Sequence, residues 1–447
     1  MKKIVIGVVV VCVLALIGLS LIGLSPWALK ANIDVGIGMG AKLACSGRYV
    51  SGFDDQRIYS DLASYTPATD LLTITHDDQA RRTDVSLFGF SASATYRPNL
   101  GCTRDIGDTS RLDKLVVEPV ALSNAEWPAG DTVASIDTAV QTALENLLAQ
   151  DNATGLDTRA LLVVKNGQVV GEAYGPGITS DTPLLGWSMG KSLTAIMLGY
   201  LNYLGDLEPS EDQLFPAWQD DERGDVTIEN LLQMASGLAF DETYRPGTDA
   251  TLMLFSVHDA AAVAREQPQV YAPGTHFAYS SGTTNLLSYL FRERSGGVQR
   301  SFTRLFNQIL SPLAMTHTYL EPDPSGTFVG SSYAYLSARD WARLGQLMLN
   351  EGELNGKRLL HPEWVTASRQ PNKSDGPRYG YQFWLNDGSE ALRWPSLARD
   401  AYAMMGNREQ VVMMIPSANA VIVRLGWSAT SYPTDTHFAQ IVDILGK

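Results

Sequence analysis

The chain of 447 residues has few histidines, few cysteines and no run of basic residues. Its 34 Lys and Arg residues are outnumbered by 48 Asp and Glu residues, giving a formal net charge of −14. Because no stretch concentrates the positive charge that a phosphate backbone requires, the sequence argues against a nucleic-acid partner. His258, His276, His317 and His361 are scattered without the spacing of metal ligands. We therefore expect no metal and no other cofactor.

Charge is also missing from the N-terminus, where the 26 positions between Lys3 and Lys30 are all uncharged. Their apolar part, Ile4 to Leu24, is long enough to cross a bilayer, which takes about 20 helical residues. Lys2 and Lys3 would keep the N-terminus cytoplasmic. Since no small-residue cleavage signal follows, we expect a retained anchor in a bacterial inner membrane rather than a cleaved signal peptide. The rest of the chain would then lie in the periplasm, either anchored or, if the segment is cleaved, released there.

Of the three cysteines, Cys12 lies inside the apolar run, which leaves Cys45 and Cys102 in the exported part. An oxidising compartment favours a disulfide between them, closing a loop worth roughly 4 kcal/mol in the chain-entropy model. Two unpaired buried thiols are the alternative, since spacing alone does not show that two cysteines meet.

Composition divides the chain into three parts: an anchor or signal segment over 1–30, an appendage over 31–125 and a main domain over 126–447. In the appendage, "DLLTITHDDQARRTDVSLFGFSASATYRP" has short alternating runs broken by turn residues. This pattern predicts hairpins and hence a small β-rich unit.

The main domain has strands at both ends and mostly helical patterns between them. A helix is predicted from Asp131, followed by a hairpin whose turn is Asn166-Gly167. Near the C-terminus, "AYAMMGNREQVVMMIPSANAVIVRLG" predicts two strands and "DTHFAQIVDILG" a closing helix. Strands at both ends of a helical region indicate an α/β (α+β) fold, in which one antiparallel sheet is built from the two ends and flanked by helices.

The stretch "LLGWSMGKSLTAIML" fits two motifs that share a nucleophile, Ser188. Gly186 to Gly190 matches the G-x-S-x-G elbow of α/β-hydrolases, whereas Ser188 and Lys191 match the S-x-x-K pair in which lysine activates serine. The elbow requires a buried strand before Ser188, but the preceding "PGITSDTPLLGW" has two prolines and a single apolar pair. It also requires a histidine, for which His437 is the one late candidate.

Lys191 fits the second motif because "KSLTAIMLGYLNYL" predicts a helix, on which Ser188 and Lys191 share a face. It is the only lysine between Lys165 and Lys357. Burial can lower the pKa of a lysine until it accepts a proton, which arginine does not do. In "YAPGTHFAYSSGTTNLLSYL", Tyr279 precedes another predicted helix. A nearby ammonium is expected to lower its pKa and make the phenol a second proton carrier.

With these motifs, the chain from about residue 130 resembles the serine β-lactamase and penicillin-binding-protein superfamily. It is most similar to class C β-lactamase-like esterases and 6-aminohexanoate-dimer-hydrolase-type amidases. The stretches "LLQMASGLAFDETY", "SARDWARLGQLMLNEGELNGKRLL" and "YGYQFWL" share the family's character and order. The resemblance implies an antiparallel sheet beside a helical lobe, with the catalytic serine between them.

Two motifs depart from the family's pattern. Tyr-x-Asn is often found where this chain has Tyr279-Ser280-Ser281, and the place of Lys-Thr-Gly is taken by Met404-Met405-Gly406. Ser281 offers a substrate less than an asparagine amide does. No lysine lies between Lys373 and Lys447 to bind a substrate carboxylate, and Arg408 is the one nearby cation.

These departures favour a neutral or apolar acyl substrate over a β-lactam. We expect the backbone at Ser188 and at Asn407, after Gly406, to form the oxyanion hole. Trp187 and Tyr244 are candidate pocket walls.

The sequence as a whole predicts a serine hydrolase that cleaves a small-molecule ester or amide through an acyl-enzyme on Ser188, with Lys191 and Tyr279 moving the proton. The alternatives are an α/β-hydrolase using His437 and a non-catalytic domain that binds cell-wall peptide.

Overall fold

A computed structural model describes residues 26–389 and 391–446. The apolar run Ile4 to Leu24 lies outside the described residues, and the predicted span and periplasmic location stay predictions. Within the described ranges, no helix is long and apolar enough to span a membrane.

The N-terminal region begins with two helices and ends with a four-stranded antiparallel sheet in the order β1-β2-β3-β4. Its elements are α1 (Pro26–Tyr49), α2 (Asp55–Ala63), a 3₁₀ helix (Pro67–Leu71), β1 (Thr73–Asp77), β2 (Arg82–Leu87), β3 (Phe90–Arg97) and β4 (Gly101–Arg104). The predicted hairpins are present, but the helices that precede them were not predicted. The appendage is therefore not mainly β.

Close packing explains why α1 forms in spite of its glycines, which disfavour helices. A Cβ atom on Gly38 would lie 2.6 Å from the carbonyl oxygen of Phe255, and one on Gly40 would lie 3.0 Å from Leu72. These glycines let the helix approach its neighbours. One face of α1 joins a core with the sheet, at a four-residue spacing typical of a helix stripe: Ile33, Ile37, Ala41 and Cys45.

Two links hold α1 in place. A disulfide joins Cys45 of α1 to Cys102 of β4, as the sequence favoured. On the helix, the buried Lys42 ammonium forms an ion pair with the buried carboxylate of Glu321, which belongs to the main part of the chain. Burial lowers the pKa of Lys42 and raises that of Glu321. The N-terminal region thus packs directly against the part of the chain that carries the predicted site.

The remaining α-helices of the described residues are α3 (Thr138–Ala153), α4 (Met189–Tyr203), α5 (Ile228–Leu232), α6 (Asp249–Phe255), α7 (Ala260–Arg265), α8 (Ser281–Arg294), α9 (Val298–Thr303), α10 (Ala338–Leu349), α11 (Pro362–Ser368) and α12 (Thr434–Leu445). The remaining strands are β5 (Thr158–Lys165), β6 (Gln168–Tyr174), β7 (Leu184–Leu185), β8 (Thr318–Leu320), β9 (Ala334–Leu336), β10 (Glu353–Leu354), β11 (Lys357–Arg358), β12 (Trp384–Leu385), β13 (Tyr402–Gly406), β14 (Gln410–Ile415) and β15 (Ala420–Gly426).

The main sheet has six strands in the order β12-β13-β14-β15-β5-β6. Every neighbouring pair is antiparallel, so the strands from the two ends of the domain meet at the β15–β5 pair. Alternate residues of β5 point to opposite faces: Leu162 and Val164 pack in one core with α4 and α10, and Leu161 and Val163 in another with α3 and α12. The sheet therefore lies between two helical layers, as predicted.

Two element predictions were wrong in detail. The helix predicted from Asp131 begins at Thr138, because Asp137 is the side chain that caps it, accepting from the N–H groups of Ala139 and Val140. The C-terminal stretch holds three strands rather than two. A turn at Arg408 (φ 62°) and Glu409 (φ 65°) separates β13 from β14. Neither residue is a glycine or asparagine, the residues that usually mark a positive φ in a turn.

Candidate active site

Ser188 lies at the N-cap of α4, and its side chain makes no capping hydrogen bond. The hydroxyl is half-buried, and it accepts a hydrogen bond of 2.9 Å from Lys191 Nζ. The strand before it, β7, is only two residues long. Ser188 therefore lies at the start of a helix and not at the end of a long core strand. This placement agrees with the S-x-x-K motif.

The glycines that suggested an elbow have a packing role instead. A Cβ atom on Gly186 would lie 2.2 Å from the Trp341 ring, and one on Gly190 would lie 2.6 Å from the carbonyl oxygen of Gly330. Both positions therefore require glycine so that the start of α4 can approach its neighbours.

Lys191 is 1% exposed and its ammonium lies in a cage of oxygen atoms. Besides Ser188 Oγ, Nζ contacts Ser281 Oγ at 2.9 Å and the Ser331 carbonyl oxygen at 3.1 Å. Burial lowers the pKa of Lys191 to about 8, although the negative charge of Glu242 acts to raise it. A substantial share of the amine is therefore neutral near pH 8. In that form the hydrogen bond reverses and the Ser188 hydroxyl donates to Nζ.

Glu242 is a member of the site that the sequence did not indicate. Its Oε1 accepts a hydrogen bond of 2.6 Å from the Ser281 hydroxyl, and its Oε2 accepts one of 2.7 Å from the Ser281 N–H. Tyr244 also donates to Oε1, at 2.9 Å. A chain of hydrogen bonds thus runs from Lys191 through Ser281 to a carboxylate. The one signal in the sequence was the position of Glu242 two residues before Tyr244.

Tyr279 lies beside the same lysine, with Nζ of Lys191 4.8 Å from the ring centroid. Its ring stacks on Trp384, with 5.3 Å between the ring centroids. The expectation of a lowered phenol pKa was wrong: burial raises the pKa of Tyr279 and outweighs the lowering effect of Ser188. At rest Tyr279 is therefore a neutral phenol, able to donate a proton.

The predicted oxyanion segment ends β13 beside Gly186, two residues before Ser188. A Cβ atom on Gly406 would lie 2.0 Å from the carbonyl oxygen of Gly186, so only glycine allows this approach. Asn407 follows and is exposed. Arg408 points away: its guanidinium lies 3.8 Å from the centroid of the Tyr65 ring, so it does not replace the missing lysine of β13.

Trp187 and Tyr244, the predicted walls, both line a cavity of about 640 Å³ that also reaches Asn407. Trp187 has a positive φ of 47° and packs tightly, with 5% of its surface exposed. It therefore serves both as packing and as a wall.

His437 is placed far from this chemistry by the sheet. It lies on α12 in the layer of α3, with Nδ1 3.6 Å from the Asp151 carboxylate. Ser188 begins α4, whose side chains pack on the opposite face of the sheet. The alternative with His437 as the base of Ser188 is therefore wrong. Across the described ranges, no cluster of three or more His, Cys, Asp or Glu side chains has the arrangement of a metal site.

A profile of the family described as beta-lactamase matches residues 140–439, about two thirds of the chain. The chain belongs to the beta-lactamase family. A curated relative, the 6-aminohexanoate-dimer hydrolase of Paenarthrobacter ureafaciens, is 24% identical over an alignment of 344 residues that covers 71% of this chain and 83% of the relative. Membership in this family makes the protein a serine hydrolase.

Solved structures share the fold at low identity. A penicillin-binding-protein homologue from Caulobacter crescentus has a TM-score of 0.53 and 16% identity, covering 70% of this chain and 98% of its own. EstCE1, described as a hydrolase with promiscuous acyltransferase activity, has a TM-score of 0.56 and 14% identity, covering 69% and 99%. The beta-lactamase family fold thus accounts for the main part of the chain.

Proposed function

We propose that this protein hydrolyses an ester or amide through an acyl-enzyme on Ser188, with Lys191 as general base and Tyr279 as proton donor to the leaving group. The hydrogen bond of 2.9 Å between Lys191 Nζ and Ser188 Oγ is the observation that carries the proposal. A base and nucleophile at this distance transfer a proton without further movement.

In the first step, neutral Lys191 takes the Ser188 proton while Oγ bonds to the substrate carbonyl carbon. The carbonyl oxygen becomes an oxyanion, which the N–H groups of Ser188 and Asn407 would stabilise. The N-terminal end of α4 adds a favourable dipole at Ser188. When the bond to the leaving group breaks, Tyr279 donates its proton to that group and regains one from the Lys191 ammonium.

Deacylation repeats these steps with water. Lys191 takes a proton from the water molecule, the water oxygen attacks the acyl carbon, and Ser188 leaves with the proton restored to Oγ. Since Glu242 favours the charged form of Lys191, it stabilises the ammonium that appears in both halves of the cycle.

The test is to trap the acyl-enzyme with a p-nitrophenyl ester and locate it by peptide mass mapping. We expect the label on Ser188 and a loss of acylation rate of about 10²–10⁴-fold in Lys191→Ala. Lys357→Ala, which removes an exposed lysine of β11, is the matched control and should acylate as the wild type does.

A Ser188 label that forms at the wild-type rate in Lys191→Ala would refute the role of the lysine. If wild-type protein neither forms a label nor turns over any simple ester or amide, the second alternative, a domain that only binds cell-wall peptide, is favoured instead.

A further inference from the structure

The cavity next to the site lies between two parts of the chain. The main domain contributes Trp187, Tyr244 and Asn407. Trp187 directly precedes Ser188 in the chain, and Tyr244 donates to Glu242 of the candidate site. The opposite wall comes from α1, the 3₁₀ helix and β2 of the N-terminal region. That wall lies outside residues 140–439, the segment that matches the beta-lactamase family. The cavity is therefore a feature of this chain and not of the family segment alone.

One face of α1 forms much of this wall. Asn32, Val35, Gly36 and Met39 line the cavity at spacings of three, one and three residues, which places them on one side of a helix. The face with Ile33 and Ile37 packs on the small sheet instead. One face of α1 thus packs in a core, and a second face lines the cavity.

The lining suits an apolar group. Beyond Val35 and Met39, it includes Leu72, Leu87, Leu254 and Phe255. No carboxylate lines it. Of its two cations, Arg408 is buried with its guanidinium against Tyr65, and Arg245 lies at the exposed surface. A volume of about 640 Å³ is in the usual range for a small-molecule site.

We propose that this cavity binds the hydrocarbon chain of an acyl ester or amide, so that the N-terminal region selects substrates by the length of the acyl group. The inference rests on the proposed function, because the acyl carbon must reach Ser188. A chain attached to that carbon would pass Trp187 and Tyr244 and then lie along α1.

The cavity is built before substrate arrives. The Lys42–Glu321 ion pair and the Cys45–Cys102 disulfide fix α1 against the rest of the molecule. Preorganisation of this kind reduces the entropy that binding must overcome. Leu71 and Phe88, the chain neighbours of the lining residues Leu72 and Leu87, are 60% and 75% exposed.

The first experiment compares kcat/KM for p-nitrophenyl acetate, butyrate and octanoate. Burial of each added methylene is worth up to about fourfold in kcat/KM, and we expect octanoate to exceed acetate by about tenfold or more. A fourth substrate, the p-nitrophenyl half-ester of suberic acid, has the octanoyl length with a terminal carboxylate. Its kcat/KM should be lower than that of the octanoate ester, because the carboxylate would lose its hydration in an apolar cavity.

Gly36→Leu tests the location. A Cβ atom on Gly36 meets nothing within 4 Å, so a leucine side chain enters open space in the cavity without displacing the helix. We expect the octanoate-to-acetate ratio of kcat/KM to fall by about tenfold, with no decrease in melting temperature. Gln56→Leu, at an exposed position of α2 outside the cavity, adds the same side chain and should keep the wild-type ratio.

An acyl-length preference that Gly36→Leu leaves unchanged would overturn the inference, as would equal kcat/KM for all esters or a preference for the suberate half-ester. Turnover of the acetate ester with none of the expected selectivity leaves the proposed function standing. If the protein forms no label on Ser188 and turns over no ester or amide, both proposals are removed. Two substrates distinguish the sources of such a chain: dissolved p-nitrophenyl octanoate and phosphatidylcholine vesicles. Release of fatty acid from the vesicles would identify the natural substrate as a lipid. Turnover of the dissolved ester alone would identify it as a soluble acyl compound.

Discussion

Burial makes Lys191 a base in the ordinary working range of pH. Its pKa is about 8, and the neutral amine is the form that takes the Ser188 proton. The neutral fraction rises as pH increases through the pKa, so we expect the acylation rate to rise from pH 6 to 9 and level off above. Stopped-flow acylation with an activated ester, whose leaving group needs no protonation, measures this limb. A rate that falls as pH rises through 8 would contradict Lys191 as the base.

Glu242 allows a sharper test of the same residue. Its carboxylate raises the pKa of Lys191 against the effect of burial, so Glu242→Gln should lower that pKa and shift the rising limb to lower pH. The glutamine can still accept from Ser281 through its amide oxygen, which preserves part of the geometry. We expect the midpoint of the acylation profile to move to lower pH than in the wild type.

Glu266→Gln is the control for Glu242, because it removes an exposed carboxylate that has no effect on the pKa of Lys191. Its midpoint should match the wild type. A Glu242→Gln profile that keeps the wild-type midpoint and loses only amplitude would assign Glu242 a positioning role for Ser281 without an electrostatic effect on the lysine.

The sequence indicated Ser188 and Lys191 from their spacing on one helix, and Tyr279 from the motif in which it stands. Ser188 and Lys191 are three residues apart, so helix geometry alone places them together. Glu242 reaches the site through Ser281, 39 residues away, and no local pattern marks such a contact. The raised pKa of Tyr279 was missed for a related reason. The burial that causes it depends on Trp384 and Tyr379, which arrive from a distant segment.

At the scale of one element, α1 shows how the same residue type can have opposite effects. Gly36 faces open space, whereas Gly38 faces the Phe255 carbonyl, 2.6 Å from where a Cβ atom would lie. Gly36→Ala should stabilise the protein by about 0.5–1 kcal/mol, because alanine loses less backbone entropy in a helix. Gly38→Ala should destabilise it by about 1–3 kcal/mol through overpacking.

Thermal or urea unfolding, followed by circular dichroism, measures both changes. Both substitutions replace a glycine of α1 with alanine and bring the same gain in helix propensity. Each therefore serves as the control for the other. Equal effects of the same sign would show that propensity dominates and that α1 does not pack as closely as the structure has it.

Element prediction succeeded where the signal lay within the element. Asn166 and Gly167 both have positive φ, as a tight hairpin turn requires, and the β5–β6 hairpin forms around them. The helix α1 has four glycines within its range, so local propensity argues against it. It forms because packing outweighs propensity, and packing is not visible before the partners are known.

At the scale of the whole molecule, the fold places the site by putting the start of α4 beside the end of β13. Alternation along β5 and β14 buries both faces of the sheet, and α4 covers one of them. The sequence predicted this architecture, since the strands come from both ends of the domain and the helices from between. It did not predict that the N-terminal region would close one side of a cavity, because those contacts join residues far apart in the sequence, such as Tyr65 and Trp187.

The disulfide between Cys45 and Cys102 ties together the two halves of that region, α1 and the small sheet. Its ends are 57 residues apart, and a loop of this length corresponds to about 4 kcal/mol in the chain-entropy model. We expect the Cys45→Ser/Cys102→Ser double variant to expose the amides of α1 and β4 to faster hydrogen exchange. The amides of β14 and β15, in the middle of the main sheet, should stay protected.

Hydrogen exchange read by mass spectrometry resolves the two regions in one experiment, with the main sheet as the internal control. Because α1 is also held by the Lys42–Glu321 ion pair, the double variant should loosen the region without releasing it, and Lys42→Met added to it should increase exchange in α1 further. Unchanged exchange in α1 in the double variant would show that the disulfide contributes nothing to its docking. Equal loss of protection in β14 and β15 would show that the N-terminal region and the main domain unfold as one unit.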